Sequence, residues 1–317
     1  MGNARNLADN LPATGATGNR NIIINGAMEI AQRGTSHTSN GFGSLDRMRF
    51  VKSGGTGTMS QQYMTVSDKS TTGFAHYMRM NFTAGNDYAG LLYTVEARDI
   101  DRLQGKKLTL SFWARGTNPG GGNFSFDHNL IDVSDFSLVD SGVSSNLTVT
   151  STWTQYSFTF DLPTATNVIM GNNEFAAYDI YIRQPTTDSS TSAWQLDITG
   201  LMLEEGEKAT PYEHEPYYVT LARCQRYFYK WNSGGLSDNL YIRSPYASGT
   251  PPNTSASVAY TFPVTMRKNP SMTALTGSAV SNLNRFTSSF HNACAQHATT
   301  SSNGAYSLDS WTADAEI

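Results

Sequence analysis

From about residue 21 to residue 215 the apolar positions fall on alternate residues in one short run after another. Leu108-Thr109-Leu110-Ser111-Phe112-Trp113-Ala114-Arg115-Gly116 alternates, and so does Trp153-Thr154-Gln155-Tyr156-Ser157-Phe158-Thr159-Phe160. Residues 178–183 and 194–199 continue the series. A period of two sends successive side chains to opposite faces, so each run reads as a strand with one buried face. Stretches rich in Gly, Pro, Asn and Asp at 117–123, 161–166 and 184–192 separate the runs. No helical pattern of credible length occurs, apart from a turn at 97–104. Many short strands divided by turns predict a sandwich or barrel.

Two places depart from this rhythm. Residues 21–36 open with Asn21-Ile22-Ile23-Ile24-Asn25-Gly26, which reads as a strand, a tight turn at Asn25-Gly26 and a second extended run. Asn-Gly suits the positive φ angles such a turn needs. Around 217–229, Leu221, Cys224, Gln225 and Phe228 fall on one helical face, which predicts a brief helix joining two domains. Strands resume at 240–243 and 257–264, and 307–317 reads as a closing strand. The predicted domains are therefore an arm at 1–20, a first β domain at 21–215 and a smaller second one at 216–317. The arm is short, polar and rich in Gly, Thr and Asn, so it stays disordered unless a neighbour holds it.

Composition narrows the class of partner. Charged residues make up 15% of the chain, against roughly 25% in an ordinary soluble domain. Ser, Thr, Gly and Asn fill the gap and give a surface that is polar without being charged. The net charge of −4 and the absence of a Lys/Arg-rich cluster exclude nucleic acid as the expected partner. No apolar run is long enough to span a bilayer and no basic-apolar leader opens the chain, so a soluble protein with no membrane insertion is expected.

The motifs of common enzymes are missing: there is no G-x-S-x-G elbow, Gly-Lys phosphate loop or His-Glu-x-x-His helix. Glu204, Glu205, Glu207, Glu213 and Glu215 crowd one stretch, but charges along a linker read more simply as a solvated hinge than as a glycosidase pair. His291 and His297 flank Cys294 without a recognisable zinc scaffold, so no metal and no cofactor are expected. Cys224 sits in the apolar-periodic stretch and reads as a small buried thiol; its pairing with Cys294 stays open. Aromatic rings remain the residues best suited to recognition, because a flat ring stacks on the apolar face of a pyranose. Phe112, Phe158, Phe160, Tyr181, Tyr260 and Phe262 alternate within strands and are expected in the core. Trp231 beside Asn232-Ser233-Gly234-Gly235, Tyr246 beside Pro245, and Trp311 are the candidate ligand contacts.

The wording of the opening motif, N-x-x-I-N-G-x-M-x-I-x-Q-R-G-T-S, resembles the start of a jelly-roll domain in bacteriophage fibre proteins. A second block, Gly200-Leu201-Met202-Leu203-Glu204-Glu205-Gly206, then Thr210-Pro211-Tyr212-Glu213, resembles the junction to a distal domain in the same family. The run from Phe262 to Pro270 is similar to a stretch near the middle of that distal domain. The order S-F-W-A-R-G, W-x-x-Y-S-F-x-F and L-M-L-E-E-G is also similar to jelly-roll carbohydrate-binding modules. The resemblance implies an all-β fold: an N-terminal jelly-roll β-sandwich followed by a second, smaller C-terminal β-sandwich. It implies a structural virion protein, a tail fibre or receptor-binding fibre, that attaches to the host surface by weak multivalent glycan binding and is not an enzyme. A capsid-decorating fibre with accessory adhesion and a surface-polysaccharide depolymerase are the alternatives. The implied partners are two further copies in a homotrimer, another virion protein held through Leu7 and Leu11 of the arm, and a host glycan or receptor met by the distal domain. Jelly-roll sugar-binding modules often carry a structural calcium; here Glu29 and Asp197 are candidate oxygen ligands, too few for the six to eight that calcium takes.

Overall fold

The computed structural model describes residues 20–119, 123–132, 137–141, 145–162, 164, 176–184, 193–232, 240–243, 255–276, 283–289, 291–298, 305–308 and 310–316. The chain is nearly all β and divides into two compact units, Met1–Pro216 and Tyr217–Ile317. The first holds β1 (Ser36–His37), β2 (Arg49–Tyr63), α1 (Val66–Thr72), β3 (His76–Glu96), α2 (Ala97–Asp101) and β4 (Lys107–Thr117). It continues with β5 (Phe124–Asp132), β6 (Ser137–Ser141), β7 (Ser145–Leu147), β8 (Thr154–Asp161), β9 (Ala176–Gln184) and β10 (Trp194–Glu205).

These strands form one antiparallel sheet that folds over on itself into a sandwich. The pairing order is β6-β5-β9-β3-β10-β4-β8, with β2 also on β3. The 21-residue β3 makes the fold-over: Met78–Phe82 pairs with β10, whereas Ala89–Glu96 pairs with β9. Strands far apart in the pairing order then face each other. Phe126 of β5 lies 4.9 Å from Phe158 of β8, and Phe124 lies 5.0 Å from Trp194 of β10. The core residues include Leu108, Leu110, Phe112 and Ala114 on β4, Leu196 and Ile198 on β10, and Ile180 and Ile182 on β9. Tyr181, expected in the core, instead takes the outward phase of β9, half-buried under Arg183 with its hydroxyl donating to Asp179, because Ile180 and Ile182 occupy the inward phase. Phe158 and Phe160 pack on the same core while only partly buried, because β8 ends the layer.

The opening motif is not a strand. Residues 21–30 join no ladder, and their asparagine side chains replace one. Asn21 donates to the Leu201 carbonyl and accepts from the Ile23 and Leu203 N–H groups. Asn25 accepts from the Glu29 and Ile30 N–H groups and donates to the Ile30 and Asp46 carbonyls. The motif docks where β10 is irregular, between Thr199 and Met202, so the two family-like blocks of sequence are partners in space. The positive φ angles of the motif fall on Asn25, at 64°, and Met28, at 60°, and not on Gly26. Gly26 is required for another reason: a Cβ there would stand 1.9 Å from the Leu201 oxygen.

The second unit comprises α3 (Tyr217–Gln225), β11 (Phe228–Asn232), β12 (Leu240–Arg243), β13 (Ser255–Thr261) and β14 (Ser271–Thr276). β15 (Leu283–Ser288), β16 (Asn292–Ala298), β17 (Ala305–Leu308) and β18 (Ser310–Asp314) complete it. Its described core gathers Tyr229, Phe262, Met266, Ala313 and Ala315 around Trp311. The Phe262–Pro270 stretch contributes a clamp as well: the Arg267 guanidinium donates to the Ala315 carbonyl at 3.0 Å.

Two histidines of the first unit set a pH response. Burial holds both His37 and His76 below the ordinary value of 6.5; Arg33 adds to this at His37, and Glu29 opposes it at His76. The unfolded chain then binds more protons than the native one below pH 6.5, so stability falls as pH drops through that point. Melting temperature should decline from pH 7.5 to pH 5.5, and the double variant His37→Gln/His76→Gln should flatten that slope. A slope unchanged in the variant refutes the assignment.

Candidate functional site

The outward phase of β4 carries Thr109, Ser111, Trp113 and Arg115, opposite the core phase. An indole among hydroxyls on a solvent-side face is the least expected residue in that row. Trp113 is half-buried there because two neighbouring segments rise beside it.

One wall is α1 with the residues that follow it. Thr65 caps the helix by accepting from the Asp68 N–H at 3.1 Å, and Gly73 ends it with φ 83°. The turn delivers Phe74 over Gly200, the residue at φ 63° in the β10 irregularity. A Cβ on Gly200 would come within 2.5 Å of the Phe74 ring. This short helix was not expected from the pattern of apolar positions. Its signal lay in the caps, Thr65-x-x-Asp68 and Gly73, rather than in any periodicity.

The other wall is the strap at 206–214, which leaves β10 and returns over the outward face. Thr109 donates to the Gly206 carbonyl at 2.8 Å and Thr159 to the Glu207 carbonyl at 3.3 Å. The buried Glu204 accepts both the N–H and the hydroxyl of Thr210, each at 2.7 Å. Arg20 donates to the Thr210 hydroxyl at 2.8 Å, and the Asn21 N–H donates to Glu213 at 3.1 Å. Glu205 pairs on the surface with Lys106 at 3.0 Å. Glu204 and Glu213 therefore hold the strap in place.

Between the walls lies a cleft of about 560 Å³ with Ser111, Trp113 and Gln155 on its floor. Phe74, Tyr212 and His214 form an aromatic cluster in the walls: Phe74 lies 4.8 Å from Tyr212 and 5.3 Å from His214, and Tyr212 and His214 are 5.0 Å apart. Thr72, Ala209, Thr210 and Pro211 complete the rim. Every lining side chain is uncharged or, at His214, an imidazole. Ring faces and edges set among hydroxyls and a carboxamide suit a ligand with apolar faces and a polar perimeter.

Beside the cleft, Asp197 is wholly buried and ties three adjacent strands together. Arg79 binds it through two N–H groups at 2.8 Å each, and Arg115 donates at 3.1 Å. Arg115 also reaches Asp68 of α1 at 3.1 Å, which latches the helix onto the sheet. Hydrogen bonding to Asp197 raises the Arg79 pKa; at Arg115 burial is the largest influence and lowers it, but the bond and charge of Asp197, the charge of Asp68 and the contact with Tyr77 together raise it. The Arg115 guanidinium lies 4.7 Å from the Trp153 ring centroid. Two guanidinium groups thus occupy the oxygens that were candidates for calcium, while Glu29 lies elsewhere, near His76. Among the described residues no group of three His, Cys, Asp or Glu side chains converges as a metal site.

The residues expected to touch a ligand sit differently. Trp311 was expected beside a loop and open to sugar; it is 0% exposed, at the centre of the second unit's core. Trp231 lies on β11 directly opposite it, with ring centroids 6.5 Å apart, and is half-buried against Tyr260. Both positions alternate inward on paired strands, which their Gly- and Ser-rich sequence neighbours concealed. Tyr246, Leu7 and Leu11 lie outside the described residues. Cys224 is buried on α3; His291 is exposed, and the side chains of Cys294 and His297 lie outside those described.

No family model and no curated protein matches the sequence. Among solved structures the chain is similar to the enzymatically active domain of tailspike protein 4 of bacteriophage CBA120, at 15% identity and TM-score 0.38, covering 59% of this chain and 22% of that one. It is similar to the family 11 carbohydrate-binding module of the Clostridium thermocellum cellulase Lic26A-Cel5E, at 12% identity and TM-score 0.32, covering 56% of this chain and 98% of that one. It is also similar to a Stig cyclase from Fischerella sp. TAU, at 12% identity and TM-score 0.36, covering 60% and 98%. Among the described residues no helix is long and apolar enough to cross a membrane. Likenesses this slight carry no inference about ligand or reaction, so function must be argued from the cleft of a two-unit, all-β chain.

Proposed function

We propose that this chain is a structural fibre protein of a bacteriophage virion that holds host-surface glycan weakly through the cleft floored by Trp113. The cleft carries the reading: it presents an indole, three further rings, a hydroxyl and a carboxamide on the outward face of a rigid sheet. No carboxyl group lines it among the described residues, and Glu204 and Glu213 are engaged by Thr210 and Asn21, which favours binding over hydrolysis. The attachment role rests on the sequence resemblance, with residues 1–20 as the anchor and three copies multiplying a weak site. The jelly-roll cleft replaces Trp231 and Trp311 as the reader in this proposal, since those rings pack on each other.

Purified particles of the phage that encodes the chain should contain it in multiples of three copies, and light scattering of the isolated protein should give three times the 34.6 kDa chain mass. Absence from the particle removes the structural role. A stable monomer at micromolar concentration removes the trimer.

A further inference from the structure

Resting on the cleft as the glycan reader, we infer that it selects neutral saccharides and rejects uronic or sialic acid units. Among the described residues the lining offers no Lys or Arg to meet a carboxylate. The nearest guanidinium groups are already committed. On the sheet side Arg79 and Arg115 face Asp197 and Asp68, two positive charges against two negative ones. On the strap side Arg20 donates to the Thr210 hydroxyl, which itself donates to Glu204, while Glu213 holds Asn21; with the exposed Glu207 and Lys208 of the same strap, two positive charges there face three negative ones. A sugar carboxylate entering the cleft would lose water against Phe74, Trp113 and Tyr212 with no ion pair in return. It would also meet the net negative charge of the strap.

A neutral ring pays neither penalty. Its C–H face can lie on the Trp113 indole, and its hydroxyls can reach Ser111 and Gln155, whose side chains have no protein partner among the described residues. Selectivity of this kind comes from what the site withholds as much as from what it offers. The low charge of the whole chain places no long-range attraction for acidic polymers in competition with it.

The test is calorimetry or array binding of the full chain with a panel of gluco-, galacto-, manno- and rhamno-configured neutral oligosaccharides and the uronic acid oligomers of matching length. At least one neutral probe should bind, and it should exceed every uronate by about tenfold or more at low salt. Gln155 is exposed on the floor, so Gln155→Lys should leave the fold intact and shrink that ratio by supplying the missing cation. Uronates binding as well as neutral probes, or a ratio unmoved by Gln155→Lys, overturns the charge selection while leaving the glycan reading standing. If no saccharide on the panel binds, both fall.

Discussion

Asn25→Ala should cost the first unit about 4 kcal/mol, enough to threaten folding of a domain with a typical margin of roughly 5–15 kcal/mol. The side chain makes four hydrogen bonds, each at 2.9 Å and three of them buried, to groups within its own loop and to the Asp46 carbonyl. Alanine would leave two N–H groups and two carbonyls without those partners, and buried polar groups left unmet cost about 1–3 kcal/mol each before relaxation. It would also hold a Cβ at φ 64°, a conformation that asparagine tolerates better than alanine. Asn25→Gly separates the two contributions, because it removes the backbone strain but not the lost bonds, and should recover only about 1 kcal/mol of the loss. Urea unfolding at pH 7 measures both variants. A loss below about 1 kcal/mol for Asn25→Ala would mean that this motif is decoration on the sandwich rather than part of it.

The same motif shows where a one-dimensional reading stops. Ile22-Ile23-Ile24 has the composition of a strand, and its residues are buried as a strand's would be. What settles its conformation is the irregularity of β10 some 180 residues away, which offers the Leu201 carbonyl and the Leu203 N–H to Asn21. Local pattern cannot reveal a partner that far along the chain. Alternation, by contrast, is a local property. The strands at 108–116, 154–160, 178–183 and 194–199 follow it, and their core faces are the ones it marks except on 178–183, where Ile180 and Ile182 point inward and Tyr181 outward. The helix joining the two units was legible for the same reason, and its buried residues include Cys224.

The candidate site was half-written in the sequence. Trp113 stands in the polar phase of an otherwise regular strand, and that mismatch was available without coordinates. Its significance was not, because a Trp on the outward face acquires a function only when something builds walls beside it. Those walls come from α1, too short to announce itself by periodicity, and from a strap whose glutamates looked like a solvated hinge. Trp311 misled in the opposite direction. Polar neighbours in sequence suggested exposure, yet pairing with β11 and β14 buries the ring completely. Flanking composition reports on loops; it says little about a residue inside a strand whose partners are remote.

Trp113→Ala should weaken the proposed glycan contact about tenfold or more and reduce attachment by the proposed trimer much further, while the melting temperature moves by only a few degrees. The indole is the floor of the cleft, and an aromatic face under a sugar contributes on the order of 1–2 kcal/mol, so its removal corresponds to roughly one decade in Kd. In the proposed trimer, attachment through three linked sites would compound that decade, because each later contact forms at an effective concentration set by the first. The side chain projects from the outward face and is only half-buried, so the sandwich core of Phe112, Leu110 and their partners is untouched. Gly200→Ala tests the same site from the wall: its Cβ, strained at φ 63°, would stand 2.5 Å from the Phe74 ring and force it to shift, so binding should weaken with the floor residues unchanged. Trp231→Ala supplies the contrast, since it should lower the stability of the second unit through lost contact with Trp311 and Tyr260 yet leave glycan binding by the first unit unchanged. If Trp231→Ala abolishes binding at an unaltered melting temperature while Trp113→Ala does not, the reader is in the second unit and the cleft is structural.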